Sequence, residues 1–208
     1  MNYKDKLLDP SQPIVVAIDG ASATGKGAIA KQLAERFNLV NCQTGIFYRS
    51  LAYNIFKEGI SADDTAKIID FSKKELELSD DAAIYNAEVT DVSSKISAIP
   101  EVREALIAPQ KKFIEANPRI VIEGRDIGTV IAPNADLKLF VIADIDVRAK
   151  RRLTQIGSGD LEDIKKSLIE RDTRDSGRAI APLKKAEDAL IIDNSSKSLE
   201  EIVESLIK

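Results

Sequence analysis

The chain has 208 residues, a net charge of −4, no histidine and one cysteine, Cys42. That size suits one large α/β domain with small insertions, and 44% hydrophobic residues are enough for a real core. The counts exclude an internal disulfide and histidine chemistry, and they argue against a zinc centre or broad nucleic-acid binding.

No apolar run approaches the length of a membrane span, and Met1-Asn2-Tyr3-Lys4-Asp5 lacks a signal-peptide core. A cytoplasmic protein is expected, with Cys42 ending a buried strand. The first strand is Ile14–Ile18. It ends at Asp19 and runs straight into Gly20-Ala21-Ser22-Ala23-Thr24-Gly25-Lys26-Gly27-Ala28, after which Ile29, Leu33 and Phe37 fall at helical spacing. Strand, glycine-rich loop and helix in that order make GxxxxGK a phosphate-binding loop. Backbone N–H groups converge there, the helix adds its positive end, and Lys26 supplies a point charge for the outer phosphates. A nucleoside triphosphate ligand is predicted. Gly27 stands where most such loops carry a Ser or Thr for Mg²⁺.

A second strand, Leu39–Cys42, leads through Gln43-Thr44-Gly45-Ile46-Phe47-Tyr48-Arg49 into a helix over about 45–58 that stacks Phe47, Leu51 and Ile55. Thr44 is placed to cap it. Tyr48 and Arg49 lie near the carboxyl edge of the sheet, where open α/β sheets bind ligands; packing of Tyr48 and solvation of Arg49 is the plainer alternative. Residues 60–100 are mostly helical, with Ile68, Ile69 and Phe71 as an apolar patch, and are too long for a simple crossover. They read as an inserted subdomain. A helix over 101–115 carries Val102, Leu106 and Phe113, with a kink expected at Pro109.

The third strand, Ile120–Glu123, runs into Gly124-Arg125-Asp126-Ile127-Gly128-Thr129, an Arg–Asp pair between glycines that packing does not explain. Leu137–Ile142 is the fourth strand. Residues 151–178 hold two charged helical stretches around Gly157-Ser158-Gly159, and composition allows a mobile flap or a plain hairpin of helices. Arg148, Arg151 and Arg152 sit at its base, where closure would bring them onto the phosphates. Arg171, Asp175 and Arg178 are spaced to share one helical face, as an ordinary salt-bridged surface helix would also have them. Leu190–Ile192 is the fifth strand. The last helix opens on a Ser198/Glu201 capping box and puts Ile202, Val203 and Leu206 on one face. Nine of the eleven arginines (49, 103, 125, 148, 151, 152, 171, 174, 178) fall in these segments, as expected for a small, highly charged ligand. The alternation predicts a doubly wound, five-stranded parallel sheet with helices on both faces.

Five segments in order resemble the bacterial cytidylate kinases. They are IDGASATGKG, TGIFYRSLA, the stretch from Ser94 to Val102-Arg103-Glu104-Ala105-Leu106, VIEGRDIGTVIAPNADLKLF, and ERDTRDSGRAIAPLKKAEDALIIDNS. The resemblance implies an α/β P-loop kinase domain over 1–208, with 60–100 an inserted NMP-binding subdomain and 151–178 a LID. It implies transfer of the ATP γ-phosphoryl group to CMP or dCMP with Mg²⁺; a monomer is expected, with no nucleic-acid or membrane partner and no protein-built metal site. Catalysis then falls to Lys26, Arg125, Arg171 and Arg178, and ATP to Gly20 through Ala28 with Arg151 and Arg152. The monophosphate falls to Thr44, Tyr48, Arg49, Arg125, Arg171 and Arg178, the base to Ser94, Arg103 and Asp126, and the ribose to Asp175. A carboxylate suits the cytosine amino group and repels the uracil oxygen in its place. Ala28 replaces a usual Thr, Gln43 a usual acid, and the insert looks short. Other readings are a kinase for UMP or shikimate, or a nucleotide-binding regulator without turnover. Removing the Lys26 side chain is expected to abolish transfer without changing the melting curve.

Overall fold

The computed structural model describes residues 2–79 and 81–207. The chain divides into two compact units, one made of the chain up to Cys42 and from Asn117 onward, the other Gln43–Ala116. Strands β1 (Ile14–Gly20), β2 (Val40–Gln43), β3 (Arg119–Gly124), β4 (Leu137–Ile142) and β5 (Leu190–Asp193) form one sheet in the order β2-β3-β1-β4-β5. β1 runs parallel to β3 and β4, and β4 to β5. The helices are α1 (Tyr3–Leu8), α2 (Lys26–Phe37), α3 (Gly45–Lys57), α4 (Thr65–Ser72), α5 (Ala87–Ile96), α6 (Pro100–Glu115), α7 (Ile145–Ile156), α8 (Leu161–Ser176) and α9 (Leu199–Ile207).

In the larger unit the central strands are mostly apolar because both sheet faces are covered. Val16, Ile18, Val121, Leu139 and Val141 meet Leu7 of α1, Ile29 and Leu33 of α2, and Ile202 and Leu206 of α9 in one cluster. Ala17, Ile120 and Ile122 alternate with them and are equally buried. Local chemistry sets the helix ends. Asn38 closes α2 in the left-handed region at φ +50°, and Asp160 caps α8 by accepting from the N–H groups of Glu162 and Asp163. The Ser198/Glu201 box is reciprocal as expected: Ser198 N–H donates to Glu201 and Glu201 N–H to Ser198 Oγ. Pairing of Asp19 with Gly124 sets the carboxyl ends of β1 and β3 side by side. The phosphate loop and the Arg125–Asp126 turn therefore leave neighbouring strands, at the edge where such sheets take ligands.

The smaller unit packs Phe47, Leu51 and Ile55 of α3 among buried Ile68, Ile84, Val92, Ile96 and Leu106. Phe47 and Phe113 meet edge to face at 6.1 Å. This unit takes in α3 and α6 as well as residues 60–100. Three details differ from the sequence reading. α1 was not foreseen; β2 does not end at Cys42 but runs on to Gln43, and as an edge strand its other three residues are exposed; and α8 stops at Ser176, so Arg178 is not on its face. Pro109 lies inside α6, the helix expected there. Cys42 is buried as expected, and that burial pushes its thiol up to about 12.

Candidate functional site

The loop from Gly20 to Gly25 joins β1 to α2, and Lys26, Gly27 and Ala28 form the first turn of α2. Two glycines are required by geometry. A Cβ on Gly20 would lie 2.3 Å from the Val141 carbonyl oxygen, and Gly25 sits at φ +91° with Asn194 Nδ2 where its Cβ would be. Lys26 is only 5% exposed, and its Nζ donates to the Ala21 carbonyl at 2.8 Å and lies 3.9 Å from Glu123. Burial first, then the Arg125 charge, pulls its pKa down to about 7, while Glu123 and Asp19 hold it up. Thr24 Oγ1 donates to the same Ala21 carbonyl.

The outer side of the loop is braced by side chains that donate to its carbonyls. Asn194, 2% exposed just after β5, donates from Nδ2 to Thr24 O at 2.7 Å. Arg151 donates to that same oxygen and, at 2.7 Å, to the Asn194 carbonyl. Arg148 donates to Ser22 O and pairs with Asp172, whose other oxygen accepts from Ser22 N–H at 3.2 Å. Arg148 and Arg151 thus grip the loop backbone. Arg152 turns to Gln155 on its own helix and is not part of this brace.

Beside the loop lies the arginine cluster. Asp175, 2% exposed, accepts from Arg125 Nε at 2.9 Å and from Arg178, which reaches it from beyond the end of α8. Arg171 on α8 is near enough to Lys26 to lower its pKa. Asp126 is buried, in the turn that opens a π-helical stretch, Ile127–Ile131. Asp19 accepts from the N–H groups of Ile127 and Gly128, and burial pushes its acid up to about 6. The structure therefore brings Lys26, Arg125, Arg171, Asp175 and Arg178 into one charged neighbourhood.

The smaller unit holds the remaining expected residues. The Arg103 guanidinium, buried, stacks over the Tyr48 ring at 5.8 Å and donates to Ser97 O at 3.2 Å. Arg49 stacks over Tyr85 at 5.2 Å. Ser94 lies on α5, half-buried. Thr44 stands at the start of α3, but its backbone is already helical and its side chain makes no capping bond. Tyr85, Asn194, Asp172 and Asp19 were missed by the sequence reading. Only Asp19, an acid at the end of an apolar strand, carried a signal that could have found it.

The sequence model of the cytidylate kinase family matches residues 16–208. A cytidylate kinase of Rickettsia bellii is 44% identical over 211 aligned positions, covering 100% of this chain and 97% of its own. The chain belongs to the cytidylate kinase family. A cytidylate kinase of Bartonella bacilliformis is 40% identical over 91% of this chain and 90% of its own. Among solved structures, a gluconokinase of Sinorhizobium meliloti shares the fold at 14% identity and a TM-score of 0.53, over 94% of this chain and 90% of that one. The matched range takes in the phosphate loop and the GRD and RDTRD segments. Among the described residues, no three His, Cys, Asp or Glu cluster to hold a metal ion, and no helix is long and apolar enough to cross a membrane.

Proposed function

We propose that the chain transfers the γ-phosphoryl group of ATP to CMP or dCMP, giving ADP and CDP or dCDP. The observation that carries this reading is the buried Lys26 ammonium at the head of a braced phosphate loop, beside the Arg125–Asp175–Arg178 cluster. Phosphoryl transfer asks a protein mainly to position two phosphates and to neutralise the charge spread over the moving group. Lys26 follows that group, and Arg125, Arg171 and Arg178 take the equatorial and acceptor oxygens. A lysine pulled down to about 7 by desolvation regains its full charge when a polyanion arrives, so the site responds to the ligand it needs. Thr44, Tyr48 and Arg49 serve the monophosphate, and Asp175 serves the ribose while holding two of the arginines. Asp126 accepts from the cytosine amino group, and Ser94 and Arg103 donate to cytosine acceptors.

Mg²⁺ fits this chain as a passenger on the ATP phosphates. Both oxygens of Asp19 are committed to backbone N–H groups, and Gly27 offers no hydroxyl, so Glu123 beside Lys26 is the acid that would face the ion. When bound, it supplies further neutralisation of phosphate charge. A monomer, working in the cytoplasm, completes the reading.

Release of ADP from ATP is the test, measured with CMP, dCMP, UMP and shikimate in turn. Turnover with CMP or dCMP well above that with UMP, and none with shikimate, is expected. No turnover with any cytidine monophosphate would overturn the proposal and leave a nucleotide-binding regulator.

A further inference from the structure

Asp19 has no task in the reaction as described, yet its carboxyl group is held almost entirely out of solvent. It is 4% exposed, and burial outweighs its two hydrogen bonds, leaving the acid pushed up to about 6. Buried ionisable groups kept at such a cost cluster at functional sites. Its oxygens do not reach into the phosphate loop that follows it. Oδ1 accepts from Ile127 N–H at 2.8 Å and Oδ2 from Gly128 N–H at 2.7 Å.

Those two N–H groups open the π-helical turn Ile127–Ile131, which closes with Ile131 N–H on the Asp126 carbonyl and Ala132 N–H on the Ile127 carbonyl. The first N–H groups of any helical turn lack partners within it and are ordinarily satisfied by the residue at its N-terminus. Here that residue is Asp126, and its side chain makes no capping bond. The capping is done from another strand, by Asp19. π-helical turns are rare and concentrate at functional sites, and this one directly follows Arg125 and Asp126.

We propose that Asp19 is a positioning residue for the acceptor nucleotide: by capping the Ile127–Ile131 turn from β1, it fixes the backbone that presents Arg125 and Asp126. The proposal rests on the reading that these two residues meet the monophosphate. It couples the strand that launches the phosphate loop to the turn that selects the acceptor, through two hydrogen bonds to one carboxylate.

Asp19→Asn tests it, because an amide of the same shape has one acceptor oxygen and must turn a donor toward the second N–H. Three measurements are made on Asp19→Asn, Asp126→Asn and the unaltered protein. They are amide exchange at Ile127 and Gly128, KM for CMP and for ATP varied separately, and the CMP/UMP ratio of kcat/KM. Losing a hydrogen bond to a charged group predicts exchange at both amides faster by about tenfold or more, and kcat/KM for CMP lower by about 10- to 100-fold. KM for ATP should stay within about two-fold, and the CMP/UMP ratio should shrink, because the turn and not the phosphate loop has loosened. Unchanged exchange at Ile127 and Gly128 overturns the proposal. So does faster exchange with CMP and ATP constants that worsen together, which is the pattern of a purely structural residue. If Asp126→Asn itself leaves the CMP/UMP ratio unmoved, the base-reading role of Asp126 fails. Asp19 then stands only if its own substitution still raises KM for CMP selectively, through Arg125.

Discussion

Lys26 carries two opposed demands, since the charge that serves phosphates is buried when no phosphate is present. In an unfolded chain a lysine titrates near 10.5, whereas here burial and Arg125 bring it down to about 7. Between those values the unfolded chain binds a proton that the folded chain has released. This group's effect on stability is therefore most unfavourable below pH 7 and fades as pH rises toward 10.5. Lys26→Met keeps the stem and removes the charge. At pH 6 the nucleotide-free variant should melt higher than the unaltered protein by several degrees, at roughly 2–4 °C per kcal/mol for a chain of this size. The gap should narrow steadily toward pH 10, while turnover falls about a hundredfold or more. Calorimetry across that range, with turnover at pH 7.5, checks both halves. Equal melting at all pH values, as the sequence alone suggested, would mean that the ammonium is not strained by burial.

At the scale of elements, α7 and α8 join through Gly157 at φ +82° and an exposed tip, with Lys165 paired to Asp146 across them. Arg148 and Arg151 already fasten α7 to the phosphate loop, and Asp172 fastens the later part of α8 to Ser22. If the pair closes over ATP as the sequence reading expects, these ties would confine the movement to the tip and the first turns of α8. Hydrogen exchange over 156–165 should slow when both substrates or a bisubstrate mimic bind, while 145–152 stays as it was. Equal slowing over both stretches would point to a helix pair that moves as one body. The three central strands were legible within a residue or two because mostly apolar runs buried on both faces leave little choice; the edge strands β2 and β5, largely exposed, were legible only as short apolar runs. The Ser198/Glu201 cap was legible because its partners lie three residues apart. The π-helical turn was not: Ile127-Gly128-Thr129-Val130-Ile131 has no helical spacing, and its cap comes from a residue 108 positions away. The roles of Arg148 and Arg151 were hidden for a related reason. Apart from the Arg148–Asp172 pair, their partners are backbone carbonyls, which every sequence offers everywhere.

Arg119 works across the whole larger unit. At the start of β3, its guanidinium donates to the carbonyls of Lys6, Leu7, Asp9, Gln12 and Phe37. It thereby ties α1, the segment leading into β1, and the end of α2 to the sheet. Arg119→Met should leave several of these acceptors unmatched at about 1–3 kcal/mol each. A melting point lower by about 6 °C or more is expected, with KM for ATP and CMP unchanged at 25 °C. A drop below about 2 °C would mean that the five carbonyls are satisfied by water instead. The Asp172 carboxylate on Ser22 N–H has a different reach. The protein already seats a carboxylate of its own on the backbone of the loop. Under the proposed function, ATP binding there would be an exchange of one anion for another: a phosphate entering at Ser22 would leave Asp172 to Arg148, and the carboxylate would be on hand when ADP departs. Affinity would then be traded for turnover, with the departing product replaced by a side chain that never has to diffuse.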